Sequence, residues 1–546
     1  MRVSRWLLVI WFCFLARAFF YCAALPLWEG FDEWAHFGVV QRMAFRSEPL
    51  VSRDSALPRD VAASLDLLPL PWELRNLPPP STTHDAFWRL SPAERSRRES
   101  LFHAIPQAWA LEDAPKLQTY EGLQGPLYGW IMTPLLLAAR HTHLATQVLL
   151  LRWFGVAIVS FVIPLSFLAC RRVFRDSALA LGCAAVVAAM PGLLIDVAHI
   201  SNESVAVVLF TVLIWLSLEI ADKGLTSLRA LSLGAVLGLG LLAKAYFLTA
   251  LPPVAVQLVW KWRRDRRALL VPITAAIVAG WWYVRNQLTT GAVSGMQESA
   301  TLPHATLGDQ LRQAARIHWG GVVDSVMFSH LWLGSWSTLM VRSWMYHFLY
   351  LLIALAAAGL VWAALRPART SQIRAGLPAL AILAMFFLVF WLGQLYHTIV
   401  MFMVWGMATT LGSYLYAVVT AEAALCVAGL RAIVPPFARH LVAPFGVALF
   451  ALLDLYTMHF IELPYYAGLT AHRPNGPVAA FHPGGVSLAE VLARLHAFKS
   501  GLLSEQLLIA LWIAYVGATI ALVAIAMLAG FSSRCAMSNS HAGQPC

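Results

Sequence analysis

Long apolar segments recur along the whole chain, and they restrict its fold more than any other feature. A helix that crosses a bilayer needs about 20 apolar residues, because its backbone groups must bond within the segment. The sequence therefore predicts an all-α polytopic membrane protein with about 12 transmembrane helices. The predicted spans are 6–27, 150–170, 178–196, 203–221, 228–243, 246–260, 268–285, 344–364, 376–395, 412–431, 440–460 and 505–529.

The charged residues are few, and their placement predicts the orientation. Charged residues make up 12% of the 546 residues and hydrophobic ones 59%, whereas a soluble domain is roughly 25% charged. Short Lys and Arg clusters at 171–175, 261–267, 366–374 and 431–439 carry much of the net charge of +11. By the positive-inside rule they mark cytoplasmic turns, with the N-terminus inside. Because spans separate these clusters, we expect no nucleic-acid partner.

This orientation places three large loops on the extracytoplasmic side, at 28–149, 286–343 and 461–504. Residues 29–125 hold 14 of the 28 acidic residues, so the first loop differs in composition from the rest. The apolar piece 126–139 is too short to span and is expected to lie on the outer rim as an interfacial helix.

Three units are predicted along the chain. The first carries the catalytic site and the first loop, the second carries the other two loops, and the third is a polar, disordered cytoplasmic tail. Their bounds are 1–290, 291–530 and 531–546.

The acid pair Asp32–Glu33 follows the first span directly. Carboxylates at a membrane rim are costly to desolvate, and a carboxylate beside an apolar cavity can act as a general base. The alternative is an exposed acidic helix end with His36 as a neighbour. A metal site made by these acids and His36 is a third interpretation, although the spacing is not specific.

Four further motifs bear candidate ligands for a substrate, each with an ordinary structural alternative. Tyr128, in the interfacial segment, suits a membrane surface, and Lys116 before it can meet a phosphate or remain solvated. In the polar turn 201–203, Asn202 can cap the next helix, while Glu203 can line a site.

The other two motifs supply cations. Lys244 lies between two apolar runs, so it needs an anionic partner or ligand, unless it reaches the rim by snorkelling. Arg285 follows the aromatic pair Trp281–Trp282 and can bind a phosphate by two parallel hydrogen bonds, or act as an interface anchor. A rim that holds both acids and cations is what an enzyme acting on a lipid-phosphate sugar requires.

The order of these motifs resembles the GT-C class of integral membrane glycosyltransferases, especially bacterial relatives of protein O-mannosyltransferases and the aminoarabinose transferase of lipid A. Six matches run in order from about 30 to 290. Departures are Gly125 in place of a Pro, Glu203 in place of an Asp, and 413–416 without the Arg and Pro of a later motif. The matching stretches are 31–36 (FDEWAH), 124–128 (QGPLY), Arg152, 201–203 (SNE), 238–244 (GLGLLAK) and 281–286 (WWYVRN).

The resemblance implies an inverting transfer from a polyprenyl-phosphate sugar to a lipid, glycan or protein acceptor, outside a bacterial inner membrane. It assigns Asp32 as the base, with Glu33 beside it as a second catalytic candidate. Lys244 and Arg285 are expected to contact the donor phosphate. Some relatives use a divalent metal and others do not, so no cofactor is required by the sequence. The remaining substrate-binding candidates are His36, Lys116, Tyr128, Arg152, Asn202 and Glu203.

Two other classes of protein fit parts of the pattern. A polytopic transporter or lipid flippase would carry charges near bilayer mid-depth and show pseudo-symmetry between its halves. Few such charges and no such symmetry are visible in the sequence. A non-catalytic membrane assembly factor would use the rim acids only to bind a partner.

Overall fold

A computed structural model describes residues 3–262, 265–302, 305–365, 371–474, 476–484, 486–499 and 501–542. Most of this chain is helical, as predicted. The N-terminal helices are α1 (Val3–Ala24), α2 (Glu33–Phe45), α3 (Arg59–Leu67), α4 (His84–Phe87), α5 (Pro92–His103), α6 (Leu127–Ala138), α7 (Leu144–Val159), α8 (Val162–Phe174), α9 (Ser177–Ala189), α10 (Pro191–Val197), α11 (Glu203–Lys223), α12 (Ser227–Ala243), α13 (Leu251–Trp262) and α14 (Leu270–Thr290). The later helices are α15 (Gln297–Thr301), α16 (Leu307–Ala314), α17 (Trp319–Leu331), α18 (Ser343–Leu365), α19 (Ser371–Trp405), α20 (Val419–Ile433), α21 (Val442–Thr457), α22 (Leu463–Tyr466), α23 (Leu488–His496) and α24 (Glu505–Ala542).

The chain is an integral membrane protein. Within the described residues, nine helical segments are long and apolar enough to cross a membrane, and a tenth is the pair α9 and α10, bent by 58°. The two remaining predicted spans, 228–243 and 246–260, coincide with shorter apolar helices. All twelve predicted segments are therefore helical, while twelve crossings remain a prediction. The nine segments are Val3–Ala24, Leu144–Phe174, Glu203–Lys223, Arg266–Thr290, Ser343–Leu365, Leu377–Trp405, Gly412–Ile433, Pro436–Tyr466 and Glu505–Gly530.

A buried ion pair joins the first helix to the second half of the chain. The guanidinium of Arg17 on α1 lies 2.9 Å from the carboxylate of Asp454 on α21, and both side chains are fully buried. The hydroxyl of Tyr21 donates to the same carboxylate at 2.5 Å. A buried charge is tolerated only when it is paired and hydrogen-bonded, so this network fixes α1 against α21.

The first long loop contains the only strands among the described residues, and the sequence did not predict them. Strands β1 (Ala56–Pro58) and β4 (Asp113–Gln118) pair antiparallel, and β2 (Pro69–Leu70) and β3 (Thr82–Thr83) pair parallel. Strands this short lack a readable alternation of apolar and polar residues. They fold the loop back so that its end meets the start of α2.

Disorder of the predicted C-terminal tail, 531–546, stays a prediction. Helix α24 continues to Ala542, and residues 543–546 lie outside the described part of the chain. No Gly or Pro interrupts the sequence between Phe531 and Ala542, so nothing in the local sequence ends the helix of the last span. The short predicted interfacial segment 126–139 does form a separate helix, α6.

Candidate active site

The carboxylate of Asp32 stands at the turn that leads from α1 into α2. Asp32 adopts a left-handed backbone conformation with φ of 54° just before α2, a conformation that Asp tolerates better than most residues. The hydroxyl of Tyr120, at the end of the first long loop, donates a hydrogen bond to this carboxylate. The loop therefore supplies the direct partner of Asp32, and Trp34 packs edge-on against the Tyr120 ring.

Two cavities meet at Asp32. The larger has a volume of about 450 Å³ and many apolar and aromatic walls. The smaller holds about 50 Å³ and is lined mainly by polar side chains, among them Ser201, Ser335 and Ser413. Both are lined by Asp32, Glu121, Gln124, Lys244, Leu411 and Tyr414. A group bound in one cavity would therefore lie beside a group bound in the other.

The surroundings of Asp32 make its carboxylate a stronger base than an exposed Asp. Burial raises its pKa, and the negative charge of Glu298 raises it further. The Tyr120 hydrogen bond and the Lys244 ammonium act in the opposite direction, but the net shift is upward. A carboxylate with a raised pKa accepts a proton more readily once it is ionised.

Glu121 and His36 complete the polar wall next to Asp32. Burial and the negative charge of Asp32 raise the pKa of Glu121 to about 8. Burial, with the nearby Lys244 cation, lowers the pKa of His36 to about 3, so its imidazole is neutral near pH 7. The His36 Nε2 atom lies 3.5 Å from a Glu121 oxygen. Near pH 7, Glu121 is therefore mostly protonated.

Glu33 points away from the cavities and forms a buried pair with Arg152 of α7. The guanidinium donates two bonds to the Glu33 carboxylate, at 2.7 and 2.6 Å. The backbone N–H of Ile200 also donates to it at 3.0 Å. Burial alone would raise the pKa of Glu33, but the Arg152 charge and these hydrogen bonds leave it lowered. Glu33 therefore remains ionised and binds the start of α2 to α7.

Arg152 also closes the end of the first helix. Its guanidinium donates to the carbonyl oxygens of Cys22, Leu25 and Pro26 at 2.7–3.1 Å. Unbonded carbonyls at a helix C-terminus attract a cation. Arg152 thus bonds to residues before Asp32 and to Glu33 after it, and so holds the turn that carries Asp32 from both sides.

Lys244 and Glu203, two of the predicted residues, form an ion pair at the junction of the cavities. Helix α12 ends at Ala243, and Lys244 continues with an extended backbone. The Tyr246 hydroxyl donates to the other Glu203 oxygen at 2.8 Å, and the ammonium lies 4.7 Å from the centre of the Tyr414 ring. Lys244 lies between two apolar runs of the sequence, and its ion pair with Glu203 satisfies its charge there.

Asn202 and Tyr128 line a third cavity, together with His36. The Asn202 amide donates to the Ala243 carbonyl at 3.3 Å, which ties the 201–203 turn to the residue before Lys244. Gly125 approaches the Leu242 carbonyl so closely that a Cβ atom would overlap it. This contact explains why a glycine occupies a position where the resembling family has a proline.

Two predicted ligands stand apart from the cavities. Lys116 is exposed on β4. Arg285 lies over the ring of Trp282, with its guanidinium carbon 5.0 Å from the ring centre. Neither residue lines either of the cavities that meet at Asp32. In this structure Lys244 is therefore the cation at that junction.

No sequence pattern predicted Glu298 and His397, which line the larger cavity. The His397 Nδ1 atom lies 2.7 Å from the Thr410 hydroxyl, and its Nε2 atom lies 3.9 Å from Glu298. Both come from the second half of the chain, where no local pattern distinguishes them. Tyr120 and Glu121 lie just before the stretch 124–128, and an acid beside an aromatic hydroxyl was the available signal.

Solved structures of a bacterial ArnT and of an archaeal oligosaccharyltransferase are similar to this chain at low sequence identity. ArnT from Cupriavidus metallidurans bound to undecaprenyl phosphate is 13% identical, with a TM-score of 0.44, over 98% of this chain and 77% of that chain. The apo oligosaccharyltransferase of Archaeoglobus fulgidus is 12% identical, with a TM-score of 0.44, over 96% and 56%. Its complex with zinc and sulfate is 17% identical, with a TM-score of 0.32, over 63% and 44%.

No protein-family model and no curated protein matches the sequence. Structural similarity at these levels carries no information about the donor, the acceptor or the role of any residue. Those questions depend on the side chains of this chain.

The residues at the site do not provide a ready metal centre. Within the described ranges, no group of three or more His, Cys, Asp or Glu side chains is arranged to hold a metal ion. Asp32 is engaged by Tyr120, and Glu203 by Lys244 and Tyr246. The side chains as arranged therefore do not fit a bound divalent ion.

Proposed function

We propose that this protein is a membrane glycosyltransferase that transfers a sugar from a polyprenyl-phosphate donor to an acceptor, with inversion and with Asp32 as the general base. One observation carries the proposal: a buried carboxylate with a raised pKa stands where a large apolar-walled cavity meets a small polar one. The ordered motifs that resemble GT-C enzymes support the same assignment and suggest a bacterial inner membrane.

The larger cavity suits the lipid donor. Its walls include Leu248, Phe390 and Met401, which offer an apolar surface to an isoprenoid chain. Lys244 stands at the junction with the polar cavity and can donate to the phosphate oxygens. Only one of its three donors is directed at Glu203. As the sugar–phosphate bond breaks, this cation would stabilise the charge that develops on the leaving phosphate.

The transfer itself needs one proton to move. The acceptor hydroxyl attacks the anomeric carbon from the face opposite the phosphate, so a new glycosidic bond forms as the carbon–oxygen bond to phosphate breaks. The hydroxyl proton passes to the Asp32 carboxylate, and polyprenyl phosphate leaves as the anion. Tyr120 keeps the carboxylate oriented, and the Glu33–Arg152 pair holds the turn on which Asp32 stands.

The orientation of the site follows from the basic clusters. If those clusters face the cytoplasm, the start of α2 and the loop bearing Tyr120 lie on the extracytoplasmic side. A lipid-linked donor supplies activated sugar there without a nucleotide. The sugar and the acceptor class, whether lipid, glycan or protein, stay open in this proposal. The cavities at Asp32 argue against a purely structural assembly factor, for which a buried substrate space would have no use.

The test is sugar transfer by purified Asp32→Asn protein from a radiolabelled polyprenyl-phosphate sugar to membrane acceptors. Loss of a general base lowers turnover by roughly 10²–10⁴-fold. Asp54→Asn is the matched control, because the Asp54 side chain is 71% exposed and remote from the cavities. Turnover by the Asp32 variant equal to that of the control would reject Asp32 as the base.

A further inference from the structure

A separate cavity of about 240 Å³ lies behind the turn that follows α1, among α5, α23 and the residues after α23. It shares no lining residue with the two cavities that meet at Asp32. Glu29 lies on the far side of its wall: the His84 Nε2 atom, from a lining residue, is 3.0 Å from the Glu29 carboxylate. The space is smaller than a pocket for a whole drug-sized ligand, which takes about 300–1,000 Å³, so it suits a head group.

The charge of this cavity is opposite to that of the cavities at Asp32. Arg95, Arg494 and Lys499 line it, and Glu99 is the one carboxylate among its lining residues. Arg494 is paired with Glu490 at 2.8 Å. The Arg95 guanidinium lies 5.0 Å from the centre of the Trp88 ring and has no carboxylate partner among the described residues. With Glu490 counted beside Glu99, the three cations leave an excess of one positive charge.

Lys499 places one of these charges deep in the protein. Its side chain is buried, and its ammonium donates to the carbonyl oxygens of Ala23 and Ala24 at 2.7 and 2.9 Å. No carboxylate lies within ion-pair distance in the part of the chain that the structure describes. Burial, together with the Arg152 charge, holds the pKa of Lys499 well below its usual value. An anion in the cavity would offset that cost.

The remaining walls are largely apolar and include Leu27, Leu68, Phe87 and Phe498. The cavity thus combines cations with an apolar surface.

We propose that this cavity binds a phosphomonoester anion, held by Arg95 and Lys499 with support from Arg494. A phosphomonoester carries about −1.5 to −2 charges at pH 7, a charge of the opposite sign to the excess of the lining. Arg guanidinium groups bind such oxyanions by parallel hydrogen bonds. The group can come from a lipid head group or from a soluble phosphorylated compound.

Calorimetric titration of the full-length protein in detergent tests this proposal without relying on sugar transfer. The probes are dihexanoyl phosphatidic acid, glycerol phosphate and, as a neutral control, dihexanoyl phosphatidylcholine. Arg95→Gln is expected to weaken binding of the phosphomonoester roughly tenfold or more. Arg97→Gln is the matched control on the same helix, because Arg97 is paired with Glu94 and does not line the cavity.

A second variant guards against an effect of Arg95 on folding. Ser96→Glu introduces a carboxylate at an exposed lining position and is expected to weaken binding similarly, with an unchanged melting temperature. Binding of phosphatidic acid alone would support a lipid source, and equal binding of glycerol phosphate a soluble one. Equal affinities for Arg95→Gln and Arg97→Gln, or no binding by either phosphomonoester, would overturn the proposal.

Discussion

Two neighbouring carboxylates at the start of α2 stand in opposite surroundings. Asp32 faces two cavities and receives one hydrogen bond from a neutral hydroxyl, and burial raises its pKa. Glu33 faces the protein interior. Burial alone would raise its pKa, but the Arg152 guanidinium leaves that pKa below its usual value. One residue along the chain thus separates a group suited to accept a proton from a group held permanently ionised.

The difference shows that adjacency in sequence does not make a catalytic pair. Asp32 has a left-handed backbone conformation just before α2 and Glu33 is the first residue of the helix, and their side chains enter different compartments. The chemistry of each carboxylate is set by its partner. This contrast supports the proposal that Asp32 transfers the proton and that Glu33 positions the turn.

Substitutions of Glu33 and Asp32 are expected to differ most in their effect on the free energy of unfolding. Glu33→Gln leaves Arg152 buried without its counter-charge, and breaking a buried pair costs about 3–5 kcal/mol. Asp32→Asn breaks no ion pair and is expected to change the free energy of unfolding by less than about 1 kcal/mol. Thermal unfolding in detergent micelles measures both. The double variant Glu33→Met with Arg152→Met should recover much of the loss, and an equally unstable Asp32→Asn protein would contradict this assignment.

Replacement of Lys244 should lower turnover and also stability, because Glu203 loses its buried counter-charge. Lys244→Met removes the cation at the junction of the cavities, and losing a charged hydrogen bond to phosphate costs about 1.5–3 kcal/mol, or roughly 10–100-fold in kcat/KM for the donor. Steady-state kinetics with varied donor concentration measure it. Tyr246→Phe serves as the control, since it keeps the charge and removes only the hydroxyl bond to Glu203. Unchanged kcat/KM for Lys244→Met would place the phosphate elsewhere.

Glu121 should make stability depend on pH in the direction opposite to a salt-bridged acid. Its pKa is raised from 4.5 to about 8 on folding, so the folded state binds more protons than the unfolded state between these values. Stability is then highest below pH 4.5 and declines as the pH rises to about 8. Melting temperatures of wild-type and Glu121→Gln protein across this range measure the contribution. If the melting temperatures of both proteins decline with the same slope, the pH dependence of stability comes from groups other than Glu121.

The smallest effects are expected at the two cations that lie outside the cavities. Arg285→Gln and Lys116→Gln should change kcat/KM for the donor by less than about threefold, because neither side chain lines the cavities at Asp32. The same donor titration used for Lys244 measures them. A loss for Arg285→Gln comparable to that for Lys244→Met would show that the site rearranges when donor binds.

The sequence predicted the parts of the site that contrast with their surroundings. Asp32, Glu203 and Lys244 are charges next to apolar runs, so each called for a partner, and the fold brings two of them together. Helical spans were predictable for a similar reason, because their length and hydropathy are set by the bilayer. The small strands of the first loop were not, since two to six residues carry too little periodic signal.

Other residues could not be found without the fold. Glu298 and His397 are ordinary members of a polar loop and a long apolar helix, and they become part of the site only when the second half packs against Lys244 and Tyr414. Arg152 was found through the resemblance, but its partner and its contacts with residues 22–26 follow from three-dimensional packing. Local sequence predicts which residues need partners and does not identify those partners.

The contacts of Lys499 with the end of the first helix also bear on biosynthesis. Residues 23 and 24 leave the ribosome long before Lys499, yet their carbonyl groups accept hydrogen bonds from this lysine, 476 and 475 positions later. The turn that carries Asp32 is therefore completed only after Lys499 has been synthesised. A nascent chain inserting span by span would hold this turn unfinished, and a fragment ending near residue 290 would never complete it.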